Sequence, residues 1–238
     1  MAPLGGRLVD LATGLFLRTA EVTAVDRLSS HFVSVELTAA GFKDVGWTPG
    51  QKLQIRPVRG TFGLRAYTPT RWNADEGSTE LIAYTHGSGP AAAWFQSVRV
   101  GDACEVFGPR NSLDLADLAG DVVFVGDEST IALASALRSI GSHHVMYVFE
   151  ASDPIELSEV LTNRGFSGDF SVAATSQDAE SLCRLASAAA GRCERFDLVL
   201  SGSAASVAAV RRHVREWPIR PSRTKVKAYW ALGRTGLD

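Results

Sequence analysis

Arg65-Ala66-Tyr67-Thr68-Pro69, followed by His86-Gly87-Ser88-Gly89-Pro90-Ala91-Ala92-Ala93-Trp94, is the part of this sequence that decides the fold. The first segment is typical of a short strand, on which side chains alternate between faces, so Arg65 and Tyr67 share a side. The segment therefore offers a cation, an aromatic face and a hydroxyl together. These groups suit a flavin dinucleotide, which needs a cation for its pyrophosphate, a flat ring for its isoalloxazine and donors for N5 and O4.

The second segment predicts the start of a helix at Gly89-Pro90. Proline is favoured at the first helical position because an N–H there would have no partner inside the helix. The free N–H groups of a first turn, together with the helix dipole, form a site for an anion. The two segments in this order therefore predict one dinucleotide site that holds a pyrophosphate from both sides.

The residues around these segments alternate in short strand-like runs separated by turn signals such as Pro49-Gly50 and Gly101-Asp102. Strands so spaced, with one helical interruption near 91–96, predict a small antiparallel barrel. The predicted strands cover residues 19–26, 31–37, 52–57, 64–68, 80–85 and 103–107.

The pattern changes after Gly108-Pro109, where apolar strands begin to alternate with helices. This alternation predicts a parallel sheet covered on both faces. The fold class is therefore a two-domain protein, with an antiparallel β-barrel at residues 1–113 and an α/β parallel-sheet domain at 114–238. The predicted strands of the second domain are 121–126, 145–150, 169–174, 196–201 and 225–230, and its predicted helices are 129–140, 178–190 and 204–216.

Composition narrows the class of protein. A formal net charge of −2 over 238 residues argues against nucleic-acid binding, which relies on a basic surface. No apolar run is long enough to span a bilayer, so we expect a cytoplasmic location. A monomer is also expected. Cys104, Cys183 and Cys193 contain no CxxC pair and are expected to be small buried side chains, not cluster ligands. No metal site is expected.

The combined motifs resemble the siderophore-interacting proteins, the flavin-dependent ferric-siderophore reductases of the ferredoxin–NADP reductase superfamily. The resemblance runs from residue 17 to residue 233. Besides the two segments quoted above, it is carried by Gly101-Asp102, Gly108-Pro109-Arg110, Gly126-Asp127-Glu128 and Tyr229-Trp230.

The resemblance implies that the barrel binds FAD. A purely structural role is the alternative for three residues, because Tyr67 and Trp94 also suit a barrel core and His86 also suits a turn. The FAD contacts that the resemblance implies come from Arg65, Tyr67, Thr68, His86, Gly89, Ala91, Ala92 and Trp94.

The second domain is implied to bind NAD(P)H at Gly126-Asp127-Glu128, which follows its first strand. Ser129 and Thr130 are predicted to cap the next helix and to leave its N–H groups for a phosphate. The usual family pattern continues Thr-Ala-x-Pro, whereas this chain has Ser129, Thr130 and no proline. A purely structural turn is therefore the alternative. Trp230, near the end of the chain, is implied to lie beside the flavin or nicotinamide.

The end of the chain is basic. Arg223, Lys225 and Lys227 alternate, so on a strand they would form a cationic strip on one face, and Lys52 joins them by family position. Such a strip would attract an anionic ferric siderophore, although a solvated strand edge is the alternative.

The implied function is that of an FAD-dependent NAD(P)H oxidoreductase that reduces an Fe(III)–siderophore and releases Fe(II). No acid–base residue need be catalytic. Two alternatives remain open from the sequence: another ferredoxin-reductase-like flavin oxidoreductase with a protein or oxygen as acceptor, and a degenerate flavin-binding module.

Overall fold

The computed structural model describes residues 17–56, 64–87, 89–166, 168 and 170–234. The first part of the chain forms β1 (Arg18–Arg27), β2 (Phe32–Thr38), β3 (Lys52–Arg56), β4 (Arg65–Tyr67), β5 (Pro69–Asn73), β6 (Ser78–Tyr84), α1 (Pro90–Ser97) and β7 (Ala103–Arg110). These strands pair antiparallel in one sheet with the order β4-β3-β7-β1-β2-β6-β5. The predicted barrel strands are all present where the structure describes the chain, whereas β5 was not predicted.

The second part forms β8 (Asp121–Asp127), α2 (Ile131–Ser139), β9 (Val145–Ala151), α3 (Pro154–Asn163), β10 (Phe170–Ala174), α4 (Glu180–Ala190), β11 (Phe196–Ser203), α5 (Ala204–His213) and β12 (Thr224–Trp230). Its sheet has the order β10-β9-β8-β11-β12 and its strands are parallel. Short 3₁₀ turns lie at Ala40–Phe42, Glu128–Thr130 and Val214–Glu216. The predicted fold class, a β-barrel domain followed by a parallel α/β domain, is confirmed.

Apolar side chains cover both faces of the parallel sheet. Phe124 and Phe149 lie in one cluster with the buried side of α2, while Val125 and Val148 lie in another against α4 and α5. This explains the near-continuous apolar strands in the sequence, because a strand covered on both faces has no solvent side. The barrel has its own cluster around Val35, which includes residues of α1.

The two sheets share part of their packing. Phe32 and Ile82 of the barrel belong to the same buried cluster as Phe124 of the parallel domain. Arg164, at the end of α3, donates to the buried carboxylate of Glu80 on β6 at 2.7 Å. The division between the domains at 113/114 stays a prediction.

The three cysteines are buried and unpaired, as predicted. Burial raises the pKa of the Cys104 thiol to about 12, so this group has little tendency to react as a thiolate. No helix in the described part of the chain combines the length and the apolar character needed to cross a membrane.

Candidate functional site

Strand β4 presents the Arg-x-Tyr-Thr motif next to helix α1. The ring of Tyr67 packs on Phe95 of this helix with centroids 5.0 Å apart, and Trp94 packs edge-on against Phe95 at 4.8 Å. Burial raises the pKa of Tyr67 to about 12, although the charge of Arg65 acts to lower it. Arg65 and Tyr67 are two residues apart on the strand, so they share one face. The structure therefore brings Tyr67 and Trp94 together around Phe95, with Arg65 on the same face of the strand as Tyr67.

The first turn of α1 is open. Among the described residues it has no side-chain cap and no acidic residue. Its first internal bond runs from the N–H of Ala93 to the carbonyl of Gly89 at 3.0 Å, so the N–H groups of Ala91 and Ala92 have no acceptor within the helix. A Cβ placed on Gly89 would have no atom within 4 Å. Exposed N–H groups at the positive end of a helix dipole are suited to a phosphate.

A row of rings joins the barrel to the last strand of the parallel sheet. Tyr84, at the end of β6, stacks on His86 with centroids 5.0 Å apart. His86 in turn lies 6.4 Å from Trp230, which remains 39% exposed. Two more predicted cofactor residues, one from each domain, therefore lie side by side at the interface between the sheets.

Thr68 is also joined to the last strand. Its Oγ1 lies 2.7 Å from the hydroxyl oxygen of Tyr229, although the two residues are 161 positions apart. Burial raises the pKa of Tyr229 to about 12, against the opposing effect of hydrogen bonds with Thr68 and Ser201. Tyr229 is therefore protonated at neutral pH and can donate its hydroxyl hydrogen.

The predicted motif Gly126-Asp127-Glu128 is organised around the Asp127 carboxylate. Its Oδ1 accepts from the N–H and the hydroxyl of Ser129 at 2.9 and 2.5 Å. Its Oδ2 accepts from the N–H of Ser203 at 2.7 Å and from the indole N–H of Trp230 at 2.8 Å. Burial raises the pKa of Asp127, and the bonds from Ser129 and Trp230 oppose this rise.

This arrangement corrects one part of the sequence interpretation. Ser129 and Thr130 were expected to leave N–H groups at this turn for a phosphate. In the structure Asp127 accepts the N–H of Ser129, and the hydroxyl of Thr130 donates to the Asp127 carbonyl at 2.7 Å. Asp127 precedes the 3₁₀ turn that leads into α2, and Ser203 directly precedes α5. The Asp127 carboxylate therefore lies where both helices begin.

Two glycines allow the chain to close around Asp127. A Cβ on Gly202 would lie 2.4 Å from Asp127 Oδ2, and the φ of Gly202 is +100°, in the region that favours glycine. A Cβ on Gly126 would lie 2.1 Å from the hydroxyl oxygen of Thr130. Gly126 is therefore required by the turn, because a larger residue at this position would collide with Thr130.

The same edge of the sheet carries two more buried carboxylates. Glu128 accepts from the N–H of Ser152 at 2.5 Å, and Glu150 is hydrogen-bonded to the hydroxyl of Ser206. Glu150 also lies in register with Asp127 on the neighbouring strand. Burial raises the pKa of Glu150, and the charges of Asp127 and Glu128 raise it further. The carboxyl edge of the parallel sheet is therefore acidic where a nicotinamide cofactor was predicted.

Two of the predicted substrate-binding cations make bonds within the protein. The ammonium of Lys225 pairs with the Asp117 carboxylate, and Arg223 donates to the Asp117 carbonyl. Lys227 has no ion pair with any residue that the structure describes. Lys52 lies on the barrel, at the start of β3 and in register with Arg110. The role of all four cations in substrate binding stays a prediction.

A separate surface pocket of about 210 Å³ lies between Arg138, His143 and Phe166. His143 and His144 precede β9, so this pocket is at the opposite end of that strand from Glu150. Among the described residues, no group of three or more His, Cys, Asp or Glu side chains is placed to hold a metal ion.

Sequence reasoning missed several residues that build this site. The sequence could have indicated Phe95, since it lies one helical turn beyond Ala91 and shares its face. It could also have indicated Ser203, because a serine between a buried strand and a helix is a common cap. Nothing in the sequence indicates Asp117, since it lies in a loop far from Lys225. The ring of Tyr84 and its stacking on His86 likewise depend on the fold.

Comparison with solved structures defines the class of fold as that of siderophore-interacting proteins and ferredoxin reductases. The siderophore-interacting protein SipS from Aeromonas hydrophila is 17% identical, with a TM-score of 0.73 over 92% of this chain and 93% of that one. A siderophore utilization protein from T. fusca is 21% identical, with a TM-score of 0.73 over 93% and 95%. Phthalate dioxygenase reductase is 16% identical, with a TM-score of 0.71 over 93% and 71%.

Within this class, residues 56–113 match the family model of the siderophore-interacting FAD-binding domain. The matched segment contains the strand β4, His86 and the open first turn of α1. The resemblance to siderophore-interacting proteins that the sequence predicted is confirmed by this match together with the fold. A comparison with curated proteins finds none with significant similarity.

Proposed function

We propose that the protein is an FAD-dependent oxidoreductase that reduces the iron of a ferric siderophore and so releases Fe(II). The observation that carries the proposal is the family-model match at residues 56–113, because this segment holds both halves of the predicted dinucleotide site. The neighbouring parallel domain gives the chain the two-domain fold of flavin reductases.

The residues of the barrel fit FAD. Arg65 supplies a cation, and the open first turn of α1 supplies N–H groups from Ala91 and Ala92, which together would hold the two phosphates. The ring of Tyr67 and the hydroxyl of Thr68 would face the isoalloxazine, and His86 and Trp94 would complete the site. When bound, the flavin supplies the conversion of a two-electron donor into one-electron steps.

The substrate end of the proposal depends on charge and on the chemistry of iron. Fe(II) carries less charge than Fe(III), so the hard oxygens of a catecholate or hydroxamate hold it less tightly. Release requires one electron and no broken bond in the chelator, which is why no acid–base residue is required. Lys227, with Lys225, Arg223 and Lys52, would attract an anionic chelate.

NAD(P)H is the electron donor that the resemblance implies. The turn at 126–130 does not fit its pyrophosphate, because Asp127 already accepts the N–H groups of Ser129 and Ser203. Glu128 and Glu150 place two further buried carboxyl groups at the same edge. A dinucleotide that reaches the flavin would have to place its phosphates elsewhere.

Two other functions remain candidates, each favoured by one observation. A protein acceptor is favoured by the likeness in fold to phthalate dioxygenase reductase, a structure described as transferring electrons from pyridine nucleotides to [2Fe–2S]. A flavin-binding module without hydride chemistry is favoured by the filled anion position at Asp127.

The test begins with FAD uptake by the purified protein, measured from its visible spectrum and by release of FAD on denaturation. NADH, NADPH and dithionite are then mixed with the loaded protein, and flavin bleaching is followed by stopped flow. Finally, a ferric catecholate and a ferric hydroxamate are added, and Fe(II) is trapped with a chromogenic chelator.

Each step separates one function from the others. Bleaching followed by Fe(II) formation is expected for a ferric-siderophore reductase. Bleaching by dithionite alone would support a donor other than nicotinamide, and bleaching without iron reduction would support a protein acceptor. A protein that takes up no FAD would overturn the proposal.

A further inference from the structure

We propose that Tyr229 is a positioning residue for the hydroxyl of Thr68, and that it lets Thr68 serve both redox states of a bound flavin. The inference rests on the proposed flavin site. The observation behind it is the 2.7 Å contact between Thr68 Oγ1 and the Tyr229 hydroxyl oxygen, which crosses from the barrel motif to the last strand of the parallel sheet.

The contact between the two hydroxyls is partly buried. Thr68 is only 5% exposed, and Tyr229 packs against the cluster of buried residues that both domains share. A hydroxyl has one hydrogen to donate and two lone pairs that accept. In this surrounding each hydrogen needs a protein or ligand partner, because a buried donor without one is destabilising.

The Tyr229 hydroxyl has the same two roles available as the hydroxyl of Thr68, because it carries one hydrogen and two lone pairs. Its hydrogen can point to the Thr68 oxygen across the 2.7 Å contact. When its hydrogen points away, a lone pair of Tyr229 is free to accept the hydrogen of Thr68.

These two arrangements match the two states of flavin N5. If Thr68 contacts N5, it would donate to an oxidised flavin, because N5 then carries only a lone pair. It would accept from the N5–H of a reduced flavin, and its own hydrogen would then turn to another partner. Tyr229 is that partner in the structure, since its oxygen is 2.7 Å away.

Tyr229→Phe removes this partner and should affect the two states unequally. With oxidised FAD, Thr68 can still donate to N5. With reduced FAD, the Thr68 hydrogen would be left buried without an acceptor. We expect reduced FAD to bind roughly tenfold less tightly relative to oxidised FAD, which lowers the two-electron potential by about 30 mV.

The experiment measures the affinity of the apoprotein for oxidised FAD by fluorescence quenching, and then the two-electron potential of the loaded protein. Tyr147→Phe is the matched control, because it removes the hydroxyl of another buried tyrosine within the parallel sheet. Thr68→Ser should keep the wild-type potential, since it retains the hydroxyl. In a Thr68→Val background, Tyr229→Phe should cause no further shift.

Replacement of Tyr229 by 3-fluorotyrosine provides a second route that keeps both the ring and the hydroxyl. Fluorine withdraws electrons and makes this oxygen a weaker acceptor, so the arrangement that serves reduced flavin is weakened and the potential should again fall, by less than in Tyr229→Phe. This variant decides the question if Tyr229→Phe does not fold.

A merely structural role for Tyr229 makes a different prediction. It would lower the melting temperature of the apoprotein and weaken oxidised and reduced FAD equally, with no change of potential. That result, or a wild-type potential in both Tyr229→Phe and the 3-fluorotyrosine variant, would overturn the inference while leaving the flavin proposal intact. A wild-type protein without FAD would overturn both.

Discussion

Arg65 is the side chain on which retention of FAD should depend most at the scale of single residues. Arg65→Ala removes a charge-assisted contact to phosphate, worth about 1.5–3 kcal/mol, or roughly 10- to 150-fold in the dissociation constant. Arg71→Ala is the matched control, because this arginine lies on β5, is 58% exposed and pairs with Glu36. FAD occupancy after gel filtration and titration of the apoproteins give the comparison. Equal affinities in the two variants would remove Arg65 from the phosphate site.

Lys227 should contribute more to substrate attraction than its neighbours on β12. Lys227→Ala is expected to slow ferric-siderophore reduction roughly tenfold at low salt, because no described ion pair neutralises this lysine. Arg223→Ala is the control, since Arg223 is already bonded to Asp117. Flavin reduction by the donor should change little in either variant.

Salt provides an independent measure of the same interaction. The Debye length falls from about 10 Å at 0.1 M to about 3 Å at 1 M ionic strength, so added salt should slow the wild type and reduce the difference from Lys227→Ala. If the Lys225→Ala/Lys227→Ala double variant reduces ferric siderophore at the wild-type rate, the strip is only a solvated strand edge.

At the scale of elements, the end of β11, directly before α5, requires a glycine at position 202. Gly202→Ala is expected to destabilise the protein by about 1–3 kcal/mol, because a Cβ would lie 2.4 Å from Asp127 Oδ2 in a backbone conformation that disfavours alanine. Gly141→Ala is the control, since its φ of +70° is also positive but no atom lies within 4 Å of its Cβ position. Urea unfolding of both variants isolates the contact. Similar losses would show that backbone conformation alone sets the requirement.

The elements that the sequence predicted are those with a clear apolar period, such as β8 and β9. Strand β5 was missed because Pro69 at its start is typical of a turn, although an edge strand tolerates a proline there. Helix α3 was missed despite a usable signal, because Asp153 accepts from two N–H groups of its first turn and Pro154 occupies its first position.

The candidate site was predictable only where it is local in sequence. Arg65 and Tyr67 share a strand, so their proximity follows from alternation. The contact of Thr68 with Tyr229 and the bonds that Asp127 receives from Ser203 and Trp230 join distant segments. The first contact depends on how the two sheets meet, and the others depend on which strands become neighbours in the parallel sheet. The apolar pattern along a single strand determines neither.

At the scale of the whole molecule, Glu80 connects the two domains. It accepts from Ser34 at 2.8 Å and from Thr70 within the barrel, and from Arg164 of the parallel domain at 2.7 Å. Burial acts to raise the pKa of Glu80, but the bonds from Thr70, Ser34 and Arg164 outweigh it, so the pKa lies below its usual value. Glu80→Gln should therefore lower the free energy of unfolding by about 2 kcal/mol at neutral pH.

The pH dependence follows from the direction of that shift. An acid whose pKa is lower in the folded state stabilises the protein fully above its unfolded pKa, about 4.3 for glutamate, and loses this effect as the pH falls through the folded value. The difference in unfolding free energy between wild type and Glu80→Gln should therefore be constant from pH 7 to 5 and shrink toward pH 3. Glu194→Gln, at an exposed position, is the control and should show little difference at any pH. A difference for Glu80→Gln that stays the same at pH 3 would mean that the shape of this side chain, and not its charge, joins the two domains.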